Sequence, residues 1–149
     1  IRLLYGGIQA WEKENLRLAR PSEEIPTTSE YHINLRPELN ISTTDFRAIL
    51  DETIVIDTRS TFEWFRGHLP GAIHMPWDNL YAGKERRPIT TEQYRKLLHK
   101  HDIDPTKKVI FYCTGGIRSG YAWLVHQLAG YPNAVNYEGG IEEWEKLNN

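Results

Sequence analysis

The chain holds one cysteine, Cys113, inside the stretch YCTGGIRSG at residues 112–120. Cysteine reacts as its thiolate, which nearby hydrogen-bond donors, positive charge and a helix N-terminus all favour. Gly115 and Gly116 allow successive peptides to turn their N–H groups inward as an anion-binding nest. The residues that follow, RSGYAWLVHQLAG, read as a helix whose first turn adds unpaired N–H groups and partial positive charge, and Arg118 adds a full charge there. The spacing predicts a nucleophile whose negatively charged adduct is held by backbone amides.

Other roles for Cys113 are weaker. A phosphate-binding P-loop needs Gly-Lys-Ser/Thr, and Gly115-Gly116 is followed by Ile117-Arg118. A zinc or disulfide site needs partners, and no CxxC pair exists. The six histidines are dispersed, and His99 and His101 lie on different faces of a helix. A buried, inert cysteine at a strand end stays open, because free cysteine is often a core residue.

The elements around the loop must place it. TIVID and VIFYC are β-branched or aromatic runs of the kind found in buried parallel strands, GAIHMP is a strand stopped by Pro76, and AVNY is the last strand. Between them stand helices: STTDFRAILD; STFEWFRG, with a Ser-x-x-Glu capping box and Gly67 at its end; TTEQYRKLLHKH, with a Thr-x-x-Gln box; and the helix after the loop, closed by Gly130. Strands alternating with helices predict an α/β fold, a central parallel sheet with helices on both faces. Ligands of such sheets bind beyond the carboxyl ends of the strands, the edge on which Cys113 falls.

The 149 residues are 40% hydrophobic with five Trp, enough for one ordinary core. A net charge of −2 gives no global basic field, so neither nucleic acid nor a membrane is expected as a partner. One segment is locally basic: residues 84–108 carry eight Lys/Arg against four Asp/Glu, which reads as a solvated helix face or a site of attraction for small anions. No apolar run approaches the roughly 20 residues that span a bilayer. With no secretory signal visible and a single cysteine, the expected location is cytoplasmic.

LLYGGIQAWEKENL at residues 3–16 and VNYEGGIEEWEKLN at 135–148 share Tyr, Gly-Gly-Ile and Trp-Glu-Lys, each read as strand, turn and helix. The repeat predicts residues 1–18 as the end of one module, 19–40 as a linker with Pro21, Pro26 and Pro37, and 41–149 as a complete second module. Alternation at Tyr31, Ile33 and Leu35 suggests a strand late in the linker.

From about Ile41 to Trp144 the sequence resembles the rhodanese family of sulfurtransferases. The resemblance rests on the loop residues Cys113, Gly116 and Arg118; on Asp57, Arg59, Gly67, His68, Leu69, Gly71 and Ala72; and on Gly139, Gly140 and Trp144. It implies a rhodanese-like three-layer domain, the cysteine-bearing carboxyl-terminal half of a tandem enzyme, working without a cofactor or metal. Cys113 would take the outer sulfur of a donor such as thiosulfate as a persulfide and pass it to a thiophilic acceptor, cyanide or a thiol. Arg118 would share the catalytic work, and Thr114, Gly115, Gly116, Ile117 and Ser119 would bind the substrate. Arg59 and Trp77 are further substrate-contact candidates with Asp57 in support; an Asp57–Arg59 ion pair is the competing role for Arg59, and ordinary packing for Trp77. The expected partners are a small anionic sulfur donor, the acceptor and an upstream rhodanese-like domain.

Glu63 stands where thiosulfate-using relatives often carry a second Arg, which puts efficient thiosulfate use in question; its place in the capping box with Ser60 accounts for it without a functional role. A cysteine-dependent phosphatase would need Cys-x5-Arg, and position 119 is Ser. A persulfide carrier or a rhodanese-like binding module remains the non-enzymatic alternative. His68 and His74 receive no acid–base role, since a preformed thiolate needs no general base.

Overall fold

The computed structural model describes residues 4–19, 28, 30 and 32–147. Its elements in chain order are α1 (Gly7–Lys13), α2 (Thr43–Ala48), β1 (Ile54–Asp57), α3 (Thr61–Phe65), β2 (Ile73–His74), β3 (Tyr81–Ala82), β4 (Arg87–Pro88), α4 (Thr91–Lys100), β5 (Val109–Tyr112), α5 (Ile117–Leu128), β6 (Ala134–Tyr137) and α6 (Gly140–Lys146). Each helix expected from its cap starts there. The Ser42 side chain accepts from the Asp45 N–H at 3.1 Å, and both capping boxes, Ser60 with Glu63 and Thr90 with Gln93, are closed in both directions.

Four strands form one parallel sheet in the order β2-β1-β5-β6. Alternation along β5 divides the core in two. Val109 and Phe111 join Tyr94 and Leu98 of α4 and Ala122 and Val125 of α5 on one face. Ile110 and Tyr112 join Phe46 of α2 and Ile141 of α6 on the other. The result is the α/β fold anticipated above, a parallel sheet between two helical layers. Chain order reverses between β1 and β5, so their carboxyl ends open onto a topological switch point, where such sheets bind ligands. Asp57 and Tyr112 are register partners at that edge, and Cys113 is the next residue.

Some local expectations fail. Ile33 and Leu35 lie in no strand and are 73% and 78% exposed. Alternation makes a strand only where a sheet edge receives it and one face is buried. Tyr31 and the prolines at 21 and 26 lie outside the described residues. The first copy of the repeat forms its helix, α1, but Leu4 before it is not in a strand, and Leu3 lies outside the described residues. Gly115, expected to supply unusual backbone torsions beside Gly116, is not in the left-handed region. Strands β3 and β4, two residues each, form an antiparallel pair with no sequence signal.

Helix α1 sits against this pair. The Tyr5 hydroxyl donates to the Pro88 carbonyl at 3.1 Å, the Arg87 guanidinium lies 5.4 Å from the Tyr5 ring, and Lys13 pairs with Glu85 at 2.7 Å. The locally basic segment spends much of its charge on its surroundings, with Lys96 bound to Glu92 one turn away and Arg86 over Tyr81. Among the described residues no helix is long and apolar enough to cross a membrane, and no three His, Cys, Asp or Glu side chains gather as a metal site.

Candidate active site

Cys113 leaves β5 and the chain turns at once through Gly116, whose φ of 84° caps the N-terminus of α5. A side chain at Gly116 would meet the Glu138 Cα at 2.9 Å, so the turn needs both the left-handed torsion and the missing Cβ. The Gly116 carbonyl accepts from the buried Asn136 side chain of β6 at 3.1 Å, which fixes the loop from the sheet side. The last helix fixes its other end: the Ile141 N–H donates to the Cys113 carbonyl at 2.9 Å.

The thiol of Cys113 is 2% exposed, at the bottom of this turn. Burial alone raises its pKa, but hydrogen bonds from the Ser119 hydroxyl and from the amides of Ser119, Gly115 and Arg118 reverse the effect, and the net shift is downward. Ser119 Oγ donates to Sγ at 3.5 Å and is itself fully buried. The amides that follow the cysteine thus favour its thiolate, as the two glycines led one to expect, although Gly116 alone supplies the unusual torsion.

Arg118 differs from expectation. Its guanidinium does not stand free but makes a bidentate pair with Glu63, two hydrogen bonds of 2.7 Å, and donates a third to Thr114 Oγ1 at 2.7 Å. Thr114 Oγ1 in turn donates to Glu63 at 3.0 Å. Hydrogen bonds from Arg118 hold the Glu63 carboxyl far below the usual carboxylate range, so it is an anion throughout neutral pH. Glu63 thus has a second role besides capping α3. The local signal was absent because the partners are 55 residues apart; only the adjacency of β1 and β5 brings α3 to the loop.

Arg59 and Asp57 form a buried pair, and the geometry favours that role for Arg59 over a substrate contact. The guanidinium donates to the Asp57 carboxylate, at 2.6 Å for the closest contact, and to the Gly67 carbonyl at 2.7 Å. The Tyr112 hydroxyl donates to the same carboxylate at 2.6 Å and accepts from the Leu69 N–H at 3.1 Å. This network holds the carboxyl ends of β1 and β5 together under the loop. Trp77 meets Tyr81 and Tyr121 edge-on, with centroids at 5.4 and 6.3 Å, and Tyr121 lies on α5 two positions after Ser119. Ile117, at the first turn of α5, is 87% exposed. His68 stacks on Trp64 and His74 bonds the Arg59 carbonyl.

A rhodanese-like domain family model matches residues 42–147. A Mycolicibacterium smegmatis protein named provisionally as a thiosulfate sulfurtransferase is 31% identical, the alignment covering 99% of this chain and 59% of that protein. The Escherichia coli 3-mercaptopyruvate sulfurtransferase is 26% identical over 97% of this chain and 55% of its own length. The chain therefore spans under three fifths of the length of these relatives. Among solved structures, the anaerobic ergothioneine biosynthesis enzyme of Chlorobium limicola superposes with a TM-score of 0.87 at 24% identity, over 97% of this chain and 39% of the other, which shows the shared fold. A related structure that carries a cysteine persulfide with ergothioneine superposes at 0.83 and 25% identity, over 97% and 39%.

Proposed function

The chain belongs to the rhodanese-like domain family, and we propose that it is a sulfurtransferase that carries sulfane sulfur on Cys113. The observation that carries this reading is the buried Cys113 thiol at the turn into α5, with Ser119 Oγ donating to it at 3.5 Å and its pKa drawn below the ordinary value by Ser119 and the Gly115 and Arg118 amides. Two features of sulfur transfer need such a setting. The thiolate must form at neutral pH, and the persulfide that replaces it must keep its negative charge while bound.

In the first half-reaction the Cys113 thiolate attacks the outer sulfur of a donor such as thiosulfate. The S–S bond of the donor breaks, sulfite leaves with the electron pair, and Cys113 becomes a persulfide anion facing the loop amides. In the second, cyanide or a thiolate attacks the terminal sulfur and the Cys113 thiolate leaves, restoring the enzyme. Neither step moves a proton onto a side chain, so no general base is required. Thr114, Gly115, Gly116, Ile117 and Ser119 line the seat of the transferred sulfur, and Trp77 walls the approach with Tyr81 and Tyr121. Relatives named for thiosulfate and for 3-mercaptopyruvate support the reaction class.

The Gly-Gly-Ile-x-x-Trp-Glu-Lys repeat and the greater length of the relatives support a tandem arrangement. In it, residues 1–18 end a preceding rhodanese-like domain and 19–40 link it to this one. Thiocyanate formation from thiosulfate and cyanide tests the activity: wild type turns over and Cys113→Ser does not. A wild type that loads sulfur once but never turns over points instead to a persulfide carrier.

A further inference from the structure

We infer, resting on the sulfur-transfer reading above, that Glu63 is a specificity-determining residue that turns the site away from dianionic thiosulfate and toward singly charged organic sulfane-sulfur donors. Arg118 is the cation beside the thiol, and its charged form is stabilised first by Glu63 and then also by Cys113. A donor approaching Cys113 meets that guanidinium with its fork already filled by both Glu63 oxygens. The carboxylate is fixed in place, because five donors converge on it: two from Arg118, one from Thr114, and the N–H and hydroxyl of Ser60. Thiolate, guanidinium and carboxylate sum to one negative charge. The Arg118 and Glu63 side chains are only 26% and 31% exposed, so water screens that charge incompletely. A dianion is repelled twice as strongly as a monoanion of the same shape.

The donor class that fits is a monoanion whose outer sulfur is joined to a sulfonyl group that carries an organic substituent, as in an organic thiosulfonate. Its transfer balances: the Cys113 thiolate attacks the outer sulfur, the S–S bond breaks, and a sulfinate leaves with the electron pair.

The test uses Glu63→Gln and two donors, thiosulfate and benzenethiosulfonate, which share a sulfane sulfur and differ in charge and in the organic substituent. Gln fills the same position of a capping box, as Gln93 does for Thr90 in α4, so the variant removes charge while α3 keeps its cap. Loading of Cys113 is followed by intact mass in single turnover. Comparing the donor ratio between wild type and variant cancels the donors' intrinsic reactivities. The ratio of benzenethiosulfonate to thiosulfate loading falls about tenfold in Glu63→Gln, chiefly because thiosulfate speeds up, and added salt accelerates thiosulfate loading of the wild type more than of the variant. An unchanged ratio, or equal slowing of both donors, overturns the role of Glu63 and leaves it a structural clamp. Failure of both donors to load wild type while Cys113 is free overturns the sulfur-transfer reading itself.

Discussion

The backbone N–H of Ile141 donates to the carbonyl of Cys113 at 2.9 Å, so the helix that closes the domain also holds the residue that opens the loop. Gly140 makes that approach feasible. Its φ is 60°, and a Cβ there would collide with the Thr114 and Cys113 carbonyls.

Gly140→Ala is therefore expected to displace the loop. The reaction of Cys113 with iodoacetamide and its sulfur loading should both drop at least tenfold, on top of about 1–3 kcal/mol of backbone strain. Gly130→Ala is the control: its φ is 90° but a Cβ there meets nothing within 4 Å, so it incurs the strain without touching the loop. Equal effects of the two variants on Cys113 reactivity would contradict the buttress.

The donors around Cys113 lower its pKa despite burial. Iodoacetamide alkylation should reach its half-maximal rate at a pH below that of free cysteine, and Ser119→Ala should move the midpoint upward by removing the hydroxyl donor. A midpoint at or above that of free cysteine would remove the basis for a preformed thiolate.

The Asp57–Arg59–Tyr112 network predicts a stability effect rather than a kinetic one. Arg59→Ala strands the Asp57 carboxylate, which is fully buried, and should cost about 3–5 kcal/mol in urea unfolding. Removing Asp57 as well should recover part of that loss, because the uncompensated charge is gone. A cost below about 1 kcal/mol for Arg59→Ala would mean that the guanidinium is not the partner the carboxylate depends on.

Sequence alone revealed the features that are local. The Ser60 and Thr90 boxes fixed two helix starts, the run from Val109 to Tyr112 fixed a buried strand, and the cysteine followed by two glycines and an arginine located the site. Features that depend on contact across the fold were not legible. Glu63 drew notice for its capping box with Ser60 and for standing where relatives often carry Arg, but its pairing with Arg118 follows only from the parallel neighbours β1 and β5. The support of Cys113 by Ile141 arises the same way, from a helix that follows β6. The alternation at Ile33 and Leu35 misled because periodicity describes a face without supplying a sheet to bury it.

His126 gives a pH dependence with a defined sign. It is fully buried, bonded to the Tyr94 hydroxyl at 2.8 Å, and burial lowers its pKa from 6.5 to about 4. As the pH falls, the unfolded chain takes up the proton first, so the stability contributed by the neutral ring is complete above 6.5 and is lost between about 6.5 and 4, levelling below that. The loss amounts to about 3 kcal/mol over the window. Unfolding free energies of wild type and His126→Gln from pH 7 to 4 should converge by that amount; parallel curves would contradict a neutral buried imidazole.

The central claim is that Cys113 carries sulfur, and intact mass tests it most directly. Wild type and Cys113→Ser are each incubated with thiosulfate or benzenethiosulfonate, weighed, treated with cyanide and weighed again. The account predicts a gain of one sulfur atom on the wild type alone, lost again with cyanide as thiocyanate appears. No gain on the wild type with either donor, or an equal gain on Cys113→Ser, would contradict it.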